Sequence, residues 1–95
     1  MITASEARLN VANFKLDEYN RIHALVYKFI PELDKYIKCQ SEQGNSELMI
    51  FPYSSSRFNP LDLPLASEIL HKILEKNGYE IIINDYDRNV LKFKW

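Results

Sequence analysis

A single cysteine, Cys39, leaves this chain without an internal disulfide or a cysteine-built zinc site. Two glycines and four prolines in 95 residues are too few for a linker or a low-complexity segment. No apolar run approaches the ~20 residues that span a bilayer. Charge of one sign is missing too: twelve basic residues face thirteen acidic ones. No net field therefore draws the chain to double-stranded DNA or to an anionic membrane. The opening Met1-Ile2-Thr3-Ala4-Ser5-Glu6-Ala7-Arg8 has no basic region leading into an apolar stretch, so it does not read as a signal peptide, and the cytoplasm is the expected location. What is present is a core: 46% apolar and 13% aromatic residues, in a length that makes one domain, residues 1–95. A domain this small and unstapled often gains stability by self-association, so a homo-oligomer is expected.

Thr3-x-x-Glu6 fits a capping box, and a short helix over Ala4–Phe14 follows, with Ala4, Ala7, Val11 and Phe14 on one face. Asp17 can cap a second, longer helix over Asp17–Gln43. In it Tyr19, Ile22, Val26, Phe29, Leu33 and Tyr36 recur at heptad-like spacings, widened by Leu25, Ile30 and Ile37. Pro31 inside it predicts a kink, and Gly44-Asn45 supplies the stop. Glu47–Pro52 reads as a short buried strand. Leu61–Asn77 is the third helix, with Leu65, Ile69, Leu70, Ile73 and Leu74 as its apolar face and Gly78 at its end. Tyr79–Asn84 and Val90–Trp95 are strands joined by the turn-like Asp85–Asn89, hence a hairpin. In the last strand Leu91, Phe93 and Trp95 alternate with Lys92 and Lys94, which gives a sheet with one face on helices and one in water. The predicted fold is α+β, in the order α-α-β-α-β-β: a small three-stranded sheet with helices packed on one face and a long kinked second helix. If the first two strands run parallel, their crossover should be right-handed.

The stretch Pro52-Tyr53-Ser54-Ser55-Ser56-Arg57-Phe58-Asn59-Pro60 stands apart. Backbone amides at a turn just before a helix can form a concave donor site for phosphate or carboxylate. Ser54, Ser55 and Ser56 add hydroxyls, Arg57 adds a planar charge suited to bidentate phosphate contact, and Tyr53 and Phe58 could stack on a ring. The competing reading is a polar connection whose serines satisfy backbone groups while Phe58 enters the core. Without a glycine it is neither a Walker nor a dinucleotide loop. Lys92 and Lys94 could join Arg57 on an acidic ligand, or could blunt a sheet edge if their strand is an edge strand.

Tyr19, His23 and Tyr27, spaced by four, form a polar-aromatic ridge on the long helix that suits a partner surface or an ordinary boundary stripe. Glu68-x-x-His71 occurs once, where dinuclear carboxylate sites need it twice, so His71 with Glu68 or Glu75 reads as a surface pair. Asp85, Asp87, Asn84 and Asn89 lack the glycine and the further carboxylates of a calcium loop, and turn chemistry accounts for them. Cys39 lies sixteen residues from His23, roughly 24 Å along one helix at 1.5 Å per residue, too far for a nucleophile–base pair. With no nucleophile–base–orienter set and no metal set, the chain reads as a non-enzyme that needs no cofactor or metal.

The C-terminal block resembles a pattern found in small bacteriophage-encoded proteins: a leucine-rich helix, Asn77-Gly78-Tyr79, an isoleucine strand, a polar turn and Val90-Leu91-Lys92-Phe93-Lys94-Trp95. The opening Ile2-Thr3-Ala4-x-x-Ala7 is similar to theirs as well. That resemblance implies a compact, often oligomeric accessory protein of the host cytoplasm, of a kind that in some cases inhibits host defences by sequestering signalling nucleotides. The leading expectation is a binding protein that holds a phosphorylated, nucleotide-like small molecule. The alternative is a protein–protein module, whether an inhibitor of a host protein or a virion or assembly component, that acts through the long helix.

Overall fold

The computed structural model describes residues 1–54 and 56–95. It contains α1 (Ala4–Glu42), β1 (Glu47–Ile50), a 3-10 turn (Pro60–Asp62), α2 (Leu63–Lys76), β2 (Glu80–Asp85) and β3 (Val90–Lys94). The fold is α+β, with a long first helix and a three-stranded sheet.

The two N-terminal helices expected from sequence are one. No glycine or proline lies between Phe14 and Asp17, so nothing ends the first helix where Asp17 would have capped a second. Thr3 does cap the start, its hydroxyl accepting from the Glu6 amide at 3.2 Å. The helix also runs through Pro31. Proline removes the bond to the carbonyl of Tyr27, but both residues are exposed, so the freed carbonyl can turn to water. Phe29 and Leu33, on either side, are anchored in the core. At the far end Gly44 adopts a φ of 84°, and the Asn45 amide donates to the Gln40 carbonyl at 3.0 Å, a left-handed cap that turns the chain into β1. The end of α2 repeats this device: Gly78 has a φ of 91° and the Tyr79 amide donates to the Leu74 carbonyl at 3.1 Å.

The strands lie in the order β1-β3-β2, and both pairings are antiparallel. β1 and β2 therefore run the same way, with the chain's last strand inserted between them. That makes β3 the central strand. Lys92 and Lys94 do not guard an edge; they project from the water-facing side, where Lys92 pairs with Glu47 at 3.7 Å and Lys94 with Glu80 at 3.4 Å. Opposite them Leu91 and Phe93 are wholly buried and face the helices, as the alternation predicts. β2 carries an irregularity between Ile81 and Ile83, so Ile82 is an extra residue at its edge.

The core joins Ile22, Val26, Phe29 and Leu33 of α1 to Ala66, Ile69, Leu70 and Leu74 of α2, above Ile50, Leu91 and Phe93. Tyr19 and Tyr36, expected on the same seam, are exposed at its two ends. Arg21 ties α1 to the start of α2 with two bonds to the buried Asp62 carboxylate, at 2.9 and 3.1 Å. No residue of α1 before Ile22 is buried. A helix of 39 residues is roughly 58 Å long, and the molecule measures 63 × 25 × 21 Å. The N-terminal third of α1 thus projects past the packed domain. No helix among the described residues is long and apolar enough to cross a membrane.

Candidate functional site

The described residues of the serine loop bond largely to one another. The amides of Arg57 and Phe58 both donate to the Ser54 carbonyl at 3.0 Å, so two of the amides expected to face an anion are turned inward. The Ser54 and Ser56 hydroxyls bond each other at 2.9 Å. Ser55, the middle serine of the predicted site, lies outside the described residues. Tyr53 and Phe58, expected to stack on a ligand, are core residues at 4% and 2% exposure. An aromatic side chain at the strand end gains more from the apolar core than from water, and Pro52 fixes the chain direction that carries Tyr53 inward. Lys92 and Lys94 lie on the opposite, water-facing side of the sheet and do not converge on this loop.

The Tyr53 hydroxyl donates to Asn84 Oδ1 on β2, while Asn84 Nδ2 donates to the Ser67 carbonyl at 3.2 Å. The Tyr53 amide donates to Asn89 Oδ1. This network joins the loop to α2 and to the hairpin. Burial pushes the Tyr53 hydroxyl up to about 12, and its bonds with Ser67 and Asn84 partly offset that rise.

Among the described residues, Arg57 is the one predicted ligand group of the loop that lines a cavity. Its guanidinium stacks 4.2 Å from the centre of the Phe29 ring and bonds Glu32 Oε2 at 3.0 Å. The cavity, about 360 Å³, is walled by Phe29, Glu32 and Tyr36 of α1, by the run Leu48–Pro52, and by Arg57. Tyr36 donates to Glu32 Oε1 at 3.1 Å, and that carboxylate raises the Tyr36 hydroxyl above its ordinary value. Glu32 is therefore shared between a cation and a phenol, and Arg57 already has its counter-charge. The sequence reading missed Glu32, Tyr36, Met49 and Phe51 here. The available signal was a strand of near-continuous apolar residues, Leu48-Met49-Ile50-Phe51.

The predicted ridge does assemble. Tyr19 and His23 stack with ring centres 5.6 Å apart, and His23 and Tyr27 at 4.6 Å. Both tyrosines are exposed, and the ridge borders a shallow groove with Lys72 and Lys76 of α2. N-terminal to it the projecting helix carries Leu9, Val11, Phe14 and Leu16, between 54% and 66% exposed. At 100° per residue, Leu9 and Leu16 lie within 20° of each other, Val11 and Phe14 within 60°, and the two pairs stand on nearly opposite flanks. The sequence reading found only the Val11–Phe14 side.

A second cleft, about 550 Å³, lies between α2 and β2 beside His71. Its polar groups are paired internally: His71 Nε2 hydrogen-bonds Glu75 Oε1 at 2.6 Å, and Lys72 pairs with Glu68 at 2.9 Å, which raises the Lys72 ammonium. In the hairpin turn Asp85 Oδ1 accepts from the amides of Asp87 and Arg88, as turn chemistry predicts. Among the described residues no three His, Cys, Asp or Glu side chains gather where a metal could be held.

No family model, curated protein or solved structure matches the chain.

Proposed function

We propose that this chain is a non-enzymatic protein–protein interaction module whose contact element is the outer surface of α1. One observation carries the reading: the N-terminal third of a single 39-residue helix projects beyond the domain with Leu9, Val11, Phe14 and Leu16 in water. Apolar side chains on such a segment add nothing to the stability of the isolated domain, and an exposed apolar cluster marks a surface that another protein covers. Apolar groups on opposite flanks suit a helix held between two others, as in a bundle. The Tyr19–His23–Tyr27 ridge extends that surface to the domain with side chains that lose little entropy on contact.

The test is affinity capture from a lysate of the source cells, with the parent chain and a Val11→Asp, Phe14→Asp pair compared side by side. A specific protein retained by the parent and lost by the variant, with an unchanged melting temperature, is the expected result. Identical capture by both chains refutes the reading. So does a variant that unfolds, because the face would then belong to the domain's own core.

A second reading rests on the cavity walled by Arg57. A small phosphorylated ligand that displaced Glu32 would meet a guanidinium already held over Phe29. The bacteriophage resemblance implies a host signalling nucleotide in that role, with defence inhibition as the outcome. A thermal-shift series with nucleotides and cyclic oligonucleotides tests it: a bound ligand raises the melting temperature by mass action, and Arg57→Ala removes the shift. No shift with any of these compounds sinks it.

A further inference from the structure

We infer that the bare N-terminal half of a heptad seam on α1, from Leu9 to Tyr19, docks an amphipathic helix of a partner protein whose flank carries carboxylates. The inference rests on the reading of α1 as a contact element and adds the chemistry of what it contacts.

One repeat on α1 spans two environments. Leu9, Ala12, Leu16, Tyr19 and His23 follow one another at spacings of three and four. Val26, Ile30, Leu33 and Ile37 continue the same alternation without a break. Those four enter the core or pack against it. The leading half has no such cover: Leu9 is 60% exposed, Leu16 58% and Tyr19 40%. From Leu9 to His23 it runs about 21 Å at 1.5 Å per residue, about four helical turns. The bare half thus continues a seam that already packs in this molecule, and its spacing is that of helix against helix.

Charge selects which helix. Arg8 and Lys15 stand seven residues apart on one margin of the seam, beside Ala12 and Tyr19. Glu6, Asn13 and Asn20 stand on the other margin. The next residue of the Arg8–Lys15 series is Ile22, which is buried in the core, so the first margin leads toward α2. There α2 adds to it: the groove beside Tyr19, His23 and Tyr27, about 150 Å³, has Lys72 and Lys76 on its other wall. Among the described residues Arg8, Lys15 and Lys76 make no ion pair, and Lys72 pairs only with the exposed Glu68 one turn before it. The margin is therefore basic in a chain whose net charge is −1.

A second copy does not supply the opposite charge. Laid antiparallel, two such helices bring like margins together, so Arg8 and Lys15 of one copy would face the same cations of the other. Laid parallel, each cation meets the residue five positions on in the other copy. Arg8 and Lys15 would then face Asn13 and Asn20 of the second copy, with no ion pair. A nucleic acid would satisfy the cations through its phosphates and leave Leu9 and Leu16 in water. An acidic amphipathic helix meets both demands. Its apolar stripe covers the two leucines and Tyr19, and its carboxylates reach Arg8, Lys15 and the lysines of α2.

Fluorescence anisotropy with the full chain and labelled synthetic peptides tests this. Each peptide has about three heptads with leucine at the seam positions. One carries glutamate on its flanks, a second carries lysine there, and a third is the glutamate peptide with a proline at its centre. The chain should bind the glutamate helix, and the other two at least tenfold more weakly. Lys15→Glu should weaken the glutamate helix at least fivefold and strengthen the lysine helix. Leu9→Gln with Leu16→Gln should remove binding of both. All three residues are exposed, so the circular dichroism spectra should not change. Equal binding of the glutamate and lysine helices, undiminished binding of the proline peptide, or no binding of any peptide overturns the proposal. Binding of phosphatidylserine vesicles or of a single-stranded oligonucleotide in place of the peptides overturns it as well. So does a dimer in sedimentation equilibrium that Leu9→Gln with Leu16→Gln dissolves. If every peptide fails while Val11→Asp, Phe14→Asp still abolishes capture from the lysate, this proposal falls and the reading of α1 as a contact element stands.

Discussion

Replacing Tyr53 with phenylalanine should produce a stability deficit that disappears in alkali. At neutral pH the variant loses one hydroxyl whose partner, Asn84 Oδ1, is partly buried and accepts from no other side chain or amide among the described residues. Leaving such an acceptor unsatisfied costs about 1–2 kcal/mol. The ring stays in the core, so little else changes. The hydroxyl also links folding to pH. Burial raises it from the ordinary value of 10.0 to about 12 in the folded chain. Between those values the unfolded chain loses its proton while the folded chain keeps it, so the native state binds more protons and stability falls as pH rises. The contribution is whole below pH 10.0 and is lost by about pH 12. Two units at 1.36 kcal/mol each amount to about 2.7 kcal/mol over the full window. At pH 11 about half of that, about 1.4 kcal/mol, has gone, close to the value of the lost hydrogen bond.

The parent should therefore exceed Tyr53→Phe by about 1–2 kcal/mol at pH 8, and the gap should close near pH 11. Every other titrating group is common to both proteins and cancels in the difference. Urea unfolding followed by circular dichroism, at half-unit steps from pH 8 to pH 11, reads the two curves directly. A gap that stays constant over that range refutes the burial of an ionisable Tyr53 hydroxyl. A gap absent at pH 8 refutes the bond to Asn84.

Other substitutions probe the scaffold. Pro31→Ala restores a missing helix bond at an exposed site and should raise stability by about 2 kcal/mol, since proline costs ~3 kcal/mol against alanine in a helix but stiffens the unfolded chain; a loss of stability would show that α1 needs a bend there. Gly78→Ala meets open space but forces a side chain into a φ of 91°, so a loss of about 1–2 kcal/mol in urea unfolding is expected from backbone strain alone. Phe93→Ala empties the centre of the core, where the ring is wholly buried, and should cost about 3–5 kcal/mol, a large share of the 5–15 kcal/mol typical of a domain; a melting temperature within a few degrees of the parent would contradict the assigned core.

The elements of this fold are legible because each is written by a local rule. Leu91 and Phe93 alternate with Lys92 and Lys94, and the sheet has the dry and wet faces this requires. Gly44 and Gly78 stand where left-handed caps are found. The joint at Phe14–Asp17 was misread because an aspartate able to cap a helix is also tolerated inside one, on a solvent-facing turn. Strand order was beyond reach for a different reason: β1 meets β3 across more than forty residues, and no local pattern specifies a partner that distant.

The serine loop could be read two ways from sequence for an instructive reason. Its composition, three hydroxyls and an arginine between aromatics, is the same for an anion pocket and for a chain reversal that must satisfy its own backbone. Only the direction of the amides separates the two, and the Arg57 and Phe58 amides point at the Ser54 carbonyl. Arg57 retains a chemical role, but its charge is matched by Glu32, a residue twenty-five positions earlier on α1. By sending Tyr53 and Phe58 into the core the loop fixes where β1 ends and leaves Phe51 outside. Among the described residues every buried polar side-chain atom has a partner, whereas β1 ends the sheet and the apolar flanks of α1 stand in water. Both are covered by polypeptide better than by a small solute, because an edge strand is matched by another strand and an apolar helix flank by another apolar face.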